Sequence, residues 1–256
     1  YTISRMVNFQ IVDILSDDTY DHEEDDCIKA FQVTIYGKTD DHKTIICNVV
    51  GFKPYFYLKV PEMWTKTTIK RFLKDIDGNI ETLITKVKSY DPKNDLLKIR
   101  NKNLIECKEL YGFKCNPDKT ELTYKFVKLE FSSHTAMGKY SEAIRKKYSL
   151  LRRQTDTKYD PLFKAWFNLD KDDVCDSHLY ESNIHPVIRF IHECNIQPAN
   201  WVTVDKDEEE MNNQGGLFLA SDLVIDDLPY TELTFMDTDA ISPYVIASFD
   251  IECDSS

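Results

Sequence analysis

Pro54-Tyr-Phe-Tyr-Leu-Lys-Val-Pro61, with Ile69, Phe72, Leu73 and Ile76 behind it, is where the chain passes from one period to another. Tyr55–Val60 is an aromatic and branched run that predicts a strand, and Pro61 ends it. The four apolar residues that follow fall at i, i+3, i+4 and i+7, one face of a helix, and Gly78 stands where a helix end favours a left-handed residue. Leu83–Tyr90 reads as a strand broken by Asp91-Pro92, and a short strand is expected at Leu96–Arg100. Tyr124–Phe131 is a clear strand. A second helix spans about Ala136–Tyr148, with Met137, Tyr140 and Ile144 on one face. Its last turn carries Arg145, Lys146 and Lys147, which suits the negative helix end. A short strand near His178–Glu181 closes the series. The order strand-helix-strand, strand-helix-strand is that of a ferredoxin-like module over about residues 52–182, with residues 150–175 as an insertion.

The first fifty residues read as strands of period two. Val7, Phe9 and Ile11 alternate with Asn8 and Gln10, and Phe31, Val33 and Ile35 with Gln32 and Thr34. The stretch 16–26 between them is expected to be a solvated loop, metal chelation being the lesser alternative. Gly37–His42 is expected to turn into a third strand, Thr44–Val50. Downstream, Pro186 opens a helix faced by Val187, Ile188, Ile191 and Cys194. Trp201–Val204 and Leu217–Leu223 read as strands, Asp226–Asp239 as a linker, and Tyr244–Cys253 as a final strand. The class is therefore α+β: a β-rich, OB-like N-terminal portion, the ferredoxin-like module, and one more strand.

A chain of 256 residues can bury roughly three quarters of its unfolded surface. With 42% hydrophobic and 30% charged residues it has the make-up of a globular domain, not of a disordered or fibrous chain. No apolar run approaches the roughly 18 residues of a membrane span, and the start carries no secretory pattern. Membrane partners are not expected. The 32 basic and 44 acidic side chains leave a net charge of −12, which excludes a globally basic nucleic-acid coat. The charge is uneven. Residues 17–26 hold seven carboxylates and 205–210 five more, whereas Arg145, Lys146, Lys147, Arg152 and Arg153 form a basic knot. The seven scattered cysteines lack any C-x-x-C pair, the usage of reduced, intracellular thiols.

Chemistry concentrates at Phe249-Asp-Ile-Glu-Cys253. In a strand, residues two apart face one side, so Asp250 and Glu252 point together. Two such carboxylates stay ionised most readily with a divalent cation between them, and hard oxygen donors suit Mg2+ or Mn2+. Pairs of this kind anchor two-metal phosphodiester hydrolysis. A lone D-x-E is common at solvated strand edges. Here the apolar run Tyr244–Phe249 would bury the strand, and carboxylates ending a buried strand need an explanation.

Ser248-Phe-Asp-Ile-Glu-Cys253 resembles the first exonuclease motif of family B DNA polymerases. Tyr180-Glu-Ser-Asn-Ile-His-Pro-Val-Ile-Arg-Phe-Ile-His192 with Trp201-Val202 is similar to the stretch before the exonuclease domain in the delta-type and large DNA-virus enzymes. Gly51-Phe-Lys-Pro-Tyr-Phe-Tyr-Leu58 with Pro61 resembles their early G-F-x-P-Y-F-Y segment. The bias to Lys, Asn, Ile and Asp fits an AT-rich genome, and with the blocks it points to a virus of the mimivirus kind. The resemblance implies an N-terminal domain over 1–240 and, over 241–256, the first strand of a ribonuclease H-like 3′–5′ exonuclease domain. Asp250 and Glu252 would be its metal ligands, with Mg2+ as the cofactor of the parent enzyme and none for the isolated piece. The further exonuclease segments, N-x-x-x-F-D and Y-x-x-x-D, belong downstream of the first, and neither follows Glu252 here, nor do the polymerase signatures occur. The chain is thus expected to be an N-terminal piece of a larger nucleotidyltransferase, neither polymerising nor proofreading alone. Implied partners are primer–template DNA, deoxynucleoside triphosphates, the parent's exonuclease and palm domains, and a processivity factor. The implied location is inside a cell, in host cytoplasm or nucleus for a virus.

Three further motifs admit a sharp reading and a bland one. Phe235-Met-Asp-Thr-Asp-Ala240 resembles the palm signature Y-G-D-T-D-S but precedes the exonuclease motif, so it reads as a linker turn. His178, His185 and His192 repeat every seven residues, yet Pro186 interrupts any helix that would align them for zinc. Tyr124-Lys-Phe-Val127 partly matches the RNP1 pattern. Tyr124 and Phe126 share a face and could stack bases, while the basic knot over 145–153 reads first as a solvated helix end and second as a DNA-backbone contact through Arg145, Lys146 and Lys147. The basic-Gly pair of that pattern is replaced by Leu122-Thr123, so core packing is the leading expectation for these aromatics. The rivals to a polymerase piece are a stand-alone RNA-recognition-like module and a small nuclease built on Asp250 and Glu252.

Overall fold

The computed structural model describes residues 4–20, 29–84, 99–107, 124–153, 178–207, 211–212, 221–242 and 244. In chain order these form β1 (Ser4–Tyr20), β2 (Lys29–Thr39), β3 (Thr44–Val50), β4 (Tyr55–Lys59), α1 (Lys66–Ile84), β5 (Ile99–Cys107), β6 (Tyr124–Phe131), α2 (His134–Arg153) and β7 (Leu179–Tyr180). Then come α3 (Pro186–Glu193), β8 (Trp201–Asp207), β9 (Met211–Asn212), β10 (Leu223–Pro229), a 3-10 turn (Tyr230–Glu232) and β11 (Thr234–Met236). The fold is mixed α+β and rich in sheet. The chain divides into two compact units: Tyr1–Leu15 with Val33–Val50 and Phe190–Ser256, and Ser16–Gln32 with Gly51–Arg189.

The first unit is built on a seven-stranded sheet of order β11-β8-β1-β2-β3-β10-β9. Alternation along its strands fills the core: Phe9, Ile11, Val33, Ile35, Ile45, Cys47, Val202 and Val204 are all buried. β10 lies parallel to β3, held at its start by Asp222, whose carboxylate accepts from the Thr44 amide at 2.7 Å and from its hydroxyl at 2.9 Å. These bonds hold the Asp222 carboxyl below its usual range. Four expectations change in this unit. Gly37 is not a turn residue but a strand residue paired opposite Ile45, and it must be glycine because a methyl group there would overlap the Phe9 ring. The strand expected at 217–223 instead begins at Leu223, residues 217–220 lying outside the described residues. The supposed linker 226–239 carries the rest of β10, the 3-10 turn and β11, which pairs with β8. The same pairing replaces the linker turn at Phe235 and Met236 with an edge strand.

The second unit holds a four-stranded sheet of order β5-β6-β4-β7, every neighbouring pair antiparallel. Phe56, Leu58, Val127, Leu129 and Phe131 form its core with Ile69, Phe72, Leu73 and Ile76 of α1 and Met137, Tyr140 and Ile144 of α2. Phe56 meets Phe131 at 5.1 Å between ring centroids, and Phe131 meets Tyr140 at the same distance. The Tyr140 hydroxyl donates to Asp77 and ties α2 to α1. β6 has the expected bounds, but α1 passes through Gly78 to Ile84. Ile80, Leu83 and Ile84 continue the helical spacing from Ile76, and an interior glycine costs only about 1 kcal/mol. Leu83 and Ile84 are thus helical, and the rest of the strand expected at 83–90 lies outside the described residues. The strand expected at 96–100 is later and longer, Ile99–Cys107, because it follows β6 along most of its length.

The acidic stretch 16–26 is strand as far as Tyr20, with the remainder outside the described residues. Asp18 has a definite task there. Its carboxylate accepts from the His134 and Thr135 amides at 2.8 Å and from the Thr135 hydroxyl at 2.6 Å, capping α2 beside the Ser133 hydroxyl, which accepts from the Ala136 amide at 3.0 Å. We expect Asp18→Ala to destabilise the chain by about 1–2 kcal/mol, read from the urea midpoint. Asp17→Ala, at an exposed position, should shift it by less than about 0.5 kcal/mol.

Candidate nucleic-acid interface

Successive residues of β4 and β6 face opposite ways. Phe56, Leu58, Val127 and Leu129 enter the helical core, so Tyr55, Tyr57, Lys59, Phe126, Lys128 and Glu130 share the other face. The register sets Tyr57 against Lys128 on one side and Tyr180 on the other. This face is densely cross-braced. The Lys128 ammonium lies 4.0 Å from the Tyr55 ring centroid and 2.9 Å from the Glu130 carboxylate. The Arg189 guanidinium stacks 4.2 Å from the same ring and reaches 5.8 Å from that of Tyr57. Arg189 also donates to the Glu181 carboxylate at 2.6 Å and carbonyl at 3.2 Å. Those bonds hold Glu181 in a left-handed conformation, φ 60°, that a side-chain-bearing residue seldom adopts. Tyr55 is buried between two cations, while Tyr57 keeps partial exposure and burial pushes its hydroxyl pKa up.

Phe126, one of the two aromatics that could stack bases, has 0% exposure. The Tyr180 ring meets it edge-on at 5.2 Å, so it has no surface for a base; Phe126 packs in the interior, and the lesser alternative of base stacking does not hold for it. Tyr124 begins β6, its side chain outside the described residues. Arg145 donates to the Ser182 hydroxyl at 2.7 Å and the Asn183 amide oxygen at 2.6 Å, so this member of the basic knot braces the turn after β7. Lys146 and Lys147 continue α2, with side chains outside the described residues, and Asp250 and Glu252 lie wholly outside them. Among the described residues no group of three or more His, Cys, Asp or Glu could hold a metal ion. Of the spaced histidines, His178 is buried, while His185 and His192 are exposed. His185 meets His134 instead, edge to face at 4.8 Å.

Sequence reasoning missed Tyr57, Lys128 and Arg189. Tyr57 and Lys128 were visible as i+2 neighbours of Tyr55 and Phe126, but Arg189 comes from a helix about sixty residues beyond β6. In the first unit a cleft of about 260 Å3 is lined by Asn8, Asp40, Trp201, Met236, Thr238 and Ile241. None of the expected site residues lines it.

Residues 177–256 match the model of the family B DNA polymerase exonuclease domain. The DNA polymerase of Acanthamoeba polyphaga mimivirus is 25% identical over 98% of this chain and 13% of its own length. That of Phaeocystis pouchetii virus is 28% identical over 100% of this chain and 22% of its own. The DNA polymerase delta catalytic subunit of Schizosaccharomyces pombe is 24% identical over 86% of this chain and 17% of its own. The chain is similar to the family B DNA polymerases. Its fold is similar to that of the family B DNA polymerase of Pyrobaculum calidifontis, with a TM-score of 0.50 at 11% identity over 93% of this chain and 21% of that one. The chain therefore spans about a fifth of its relatives' length or less.

Two outcomes follow from the packing of this face and of the histidine pair. Phe126→Ala should cost about 3–5 kcal/mol in urea denaturation, as a core truncation does. His134 is held below its usual pKa first by burial and then by His185, with Asp18 acting the other way. A lowered folded value means that protonation favours the unfolded chain. The stability this group contributes is present above about pH 6.5 and lost as pH falls through the folded value. The urea midpoint should decline over that window, and His134→Gln should flatten the decline.

Proposed function

We propose that the chain is the N-terminal part of a replicative DNA-directed DNA polymerase with 3′–5′ proofreading. The observation that carries this reading is the D-x-E pair Asp250 and Glu252 within the stretch that matches the exonuclease-domain model. Their donor set, two carboxylates two positions apart in the sequence, fits Mg2+, and these residues would hold it. The metal supplies the activation of water and the stabilisation of charge for phosphodiester hydrolysis. In the parent, residues 1–240 form the N-terminal domain and 241–256 open the ribonuclease H-like exonuclease domain. The sheet order β5-β6-β4-β7 supports a ferredoxin-like module near 52–182, and the largely antiparallel seven-stranded sheet supports an OB-like portion. The piece is a scaffold beside the template path, with Tyr124, Lys146 and Lys147 its remaining contacts from the sequence-derived set. Partners of the parent are primer–template DNA, deoxynucleoside triphosphates, its own exonuclease and palm domains and a processivity factor. Its place is inside the cell, in cytoplasm or nucleus of a host if viral. The burial of Phe126 speaks against the stand-alone RNA-recognition-like module.

The test starts from the gene beyond Ser256. The frame should continue through N-x-x-x-F-D, Y-x-x-x-D and Y-G-D-T-D-S segments. In the enzyme it encodes, Asp250→Ala with Glu252→Ala should lower 3′–5′ exonuclease activity at least about a hundredfold (about 2.7 kcal/mol) and leave primer extension in place. A stop codon after Ser256, or full exonuclease activity in the double variant, would overturn the reading.

A further inference from the structure

Helix α1 buries Ile69, Phe72, Leu73 and Ile76 in the core of the second unit. Its outward face has an unusual composition for a chain of net charge −12. From residue 66 to 74 the exposed side chains are Lys66, Thr67, Lys70, Arg71 and Lys74, so only the threonine is uncharged. Lys66, Lys70 and Lys74 follow at steps of four, which on a helix places them along one stripe about 6 Å apart. Among the described residues, no carboxylate pairs with these three lysines.

The stripe is rigidly presented. Lys125 of β6 donates to the Glu62 carbonyl at 2.9 Å and the Trp64 carbonyl at 2.7 Å, pinning the turn that precedes the helix. The Thr65 hydroxyl accepts from the Thr68 amide at 3.3 Å and caps the first turn. Tyr140 bonds Asp77 farther along. The lysines therefore ride on a backbone fixed at both ends of the row. A row of evenly spaced ammonium groups on a fixed axis complements a row of evenly spaced anions.

The geometry points to the outer face of α1, through Lys66, Lys70 and Lys74, as a docking surface for the sugar–phosphate backbone of a nucleic-acid strand. The charge complementarity stands on the helix itself, and the choice of nucleic acid among polyanions rests on the proposed function. Each neutralised phosphate releases counterions, so binding strengthens steeply as salt falls.

The experiment measures fluorescence anisotropy of a labelled thymidine oligonucleotide against the 256-residue chain over a series of salt concentrations. Lys70→Gln with Lys74→Gln removes two charges and keeps good helix formers. Lys53→Gln with Lys139→Gln removes two from other exposed positions and is the matched control. The α1 pair should weaken binding at least about tenfold and lower the slope of log K against log salt by about 1.4, at about 0.7 per lost contact on a single strand. The control should change neither by more than about half as much, and unchanged urea midpoints verify that both fold. No binding at low salt, or equal losses in the two pairs, overturns the proposal. The readout is binding, so a failed nuclease test with α1 binding intact sinks only the polymerase reading, and the reverse result sinks only this one.

Discussion

The pairing of β4 with β6, in the register that sets Leu58 against Val127, is the constraint on which the second unit depends. A strand has two faces and period two, so that single register decides both at once. It sends Phe56, Leu58, Val127 and Leu129 toward the helices, and Tyr55, Tyr57, Phe126 and Lys128 the other way. A slip of one residue would carry Lys128 and Glu130 into the apolar core and strip α1 and α2 of their platform. The ring contacts of Phe56, Phe131 and Tyr140 reward the correct register on one side. The cation–aromatic stack of Lys128, Tyr55 and Arg189 rewards it on the other.

Local period was enough to find what is locally determined. β3 and β6 begin and end where alternation does, because one buried face dictates every second residue. α3 starts at Pro186, whose fixed φ and missing amide suit a first turn. The errors share a different cause. Gly78, Gly37 and the acidic run were assigned by residue type alone. Gly78 is overruled by apolar residues on both sides, Gly37 by a ring from another strand, and Asp18 by two amide groups over a hundred residues away. β10 and β11 escaped notice for a related reason: a strand that lies parallel to β3 or on an edge is defined by partners distant in sequence.

The candidate site was legible to the same degree. Asp250 and Glu252 stand out in the sequence because two carboxylates end an apolar run, and the match to the exonuclease-domain model includes that stretch. The aromatic face was visible as a pattern but not in its state. Period two says that Phe126 and Lys128 share a side; it does not say that Tyr180 and Arg189 will close over that side. Arg145 shows the same limit. A basic knot at a helix end looks like a free surface until the turn at Ser182 and Asn183 folds back to accept from it.

Net charge illustrates how an average can conceal the feature that matters. A value of −12 argues against any nucleic-acid role when spread evenly over the surface. Screening in physiological salt limits each charge to a reach of about 8 Å, however, so an approaching phosphate responds to its immediate neighbourhood and not to the sum. α1 supplies such a neighbourhood because its amphipathic pattern sorts residues by radius: apolar ones inward and, from residue 66 to 74, almost nothing but cations outward. The same periodicity that builds the core therefore sets the spacing of the lysines, and a row with helical pitch is a property that no sum over the sequence contains.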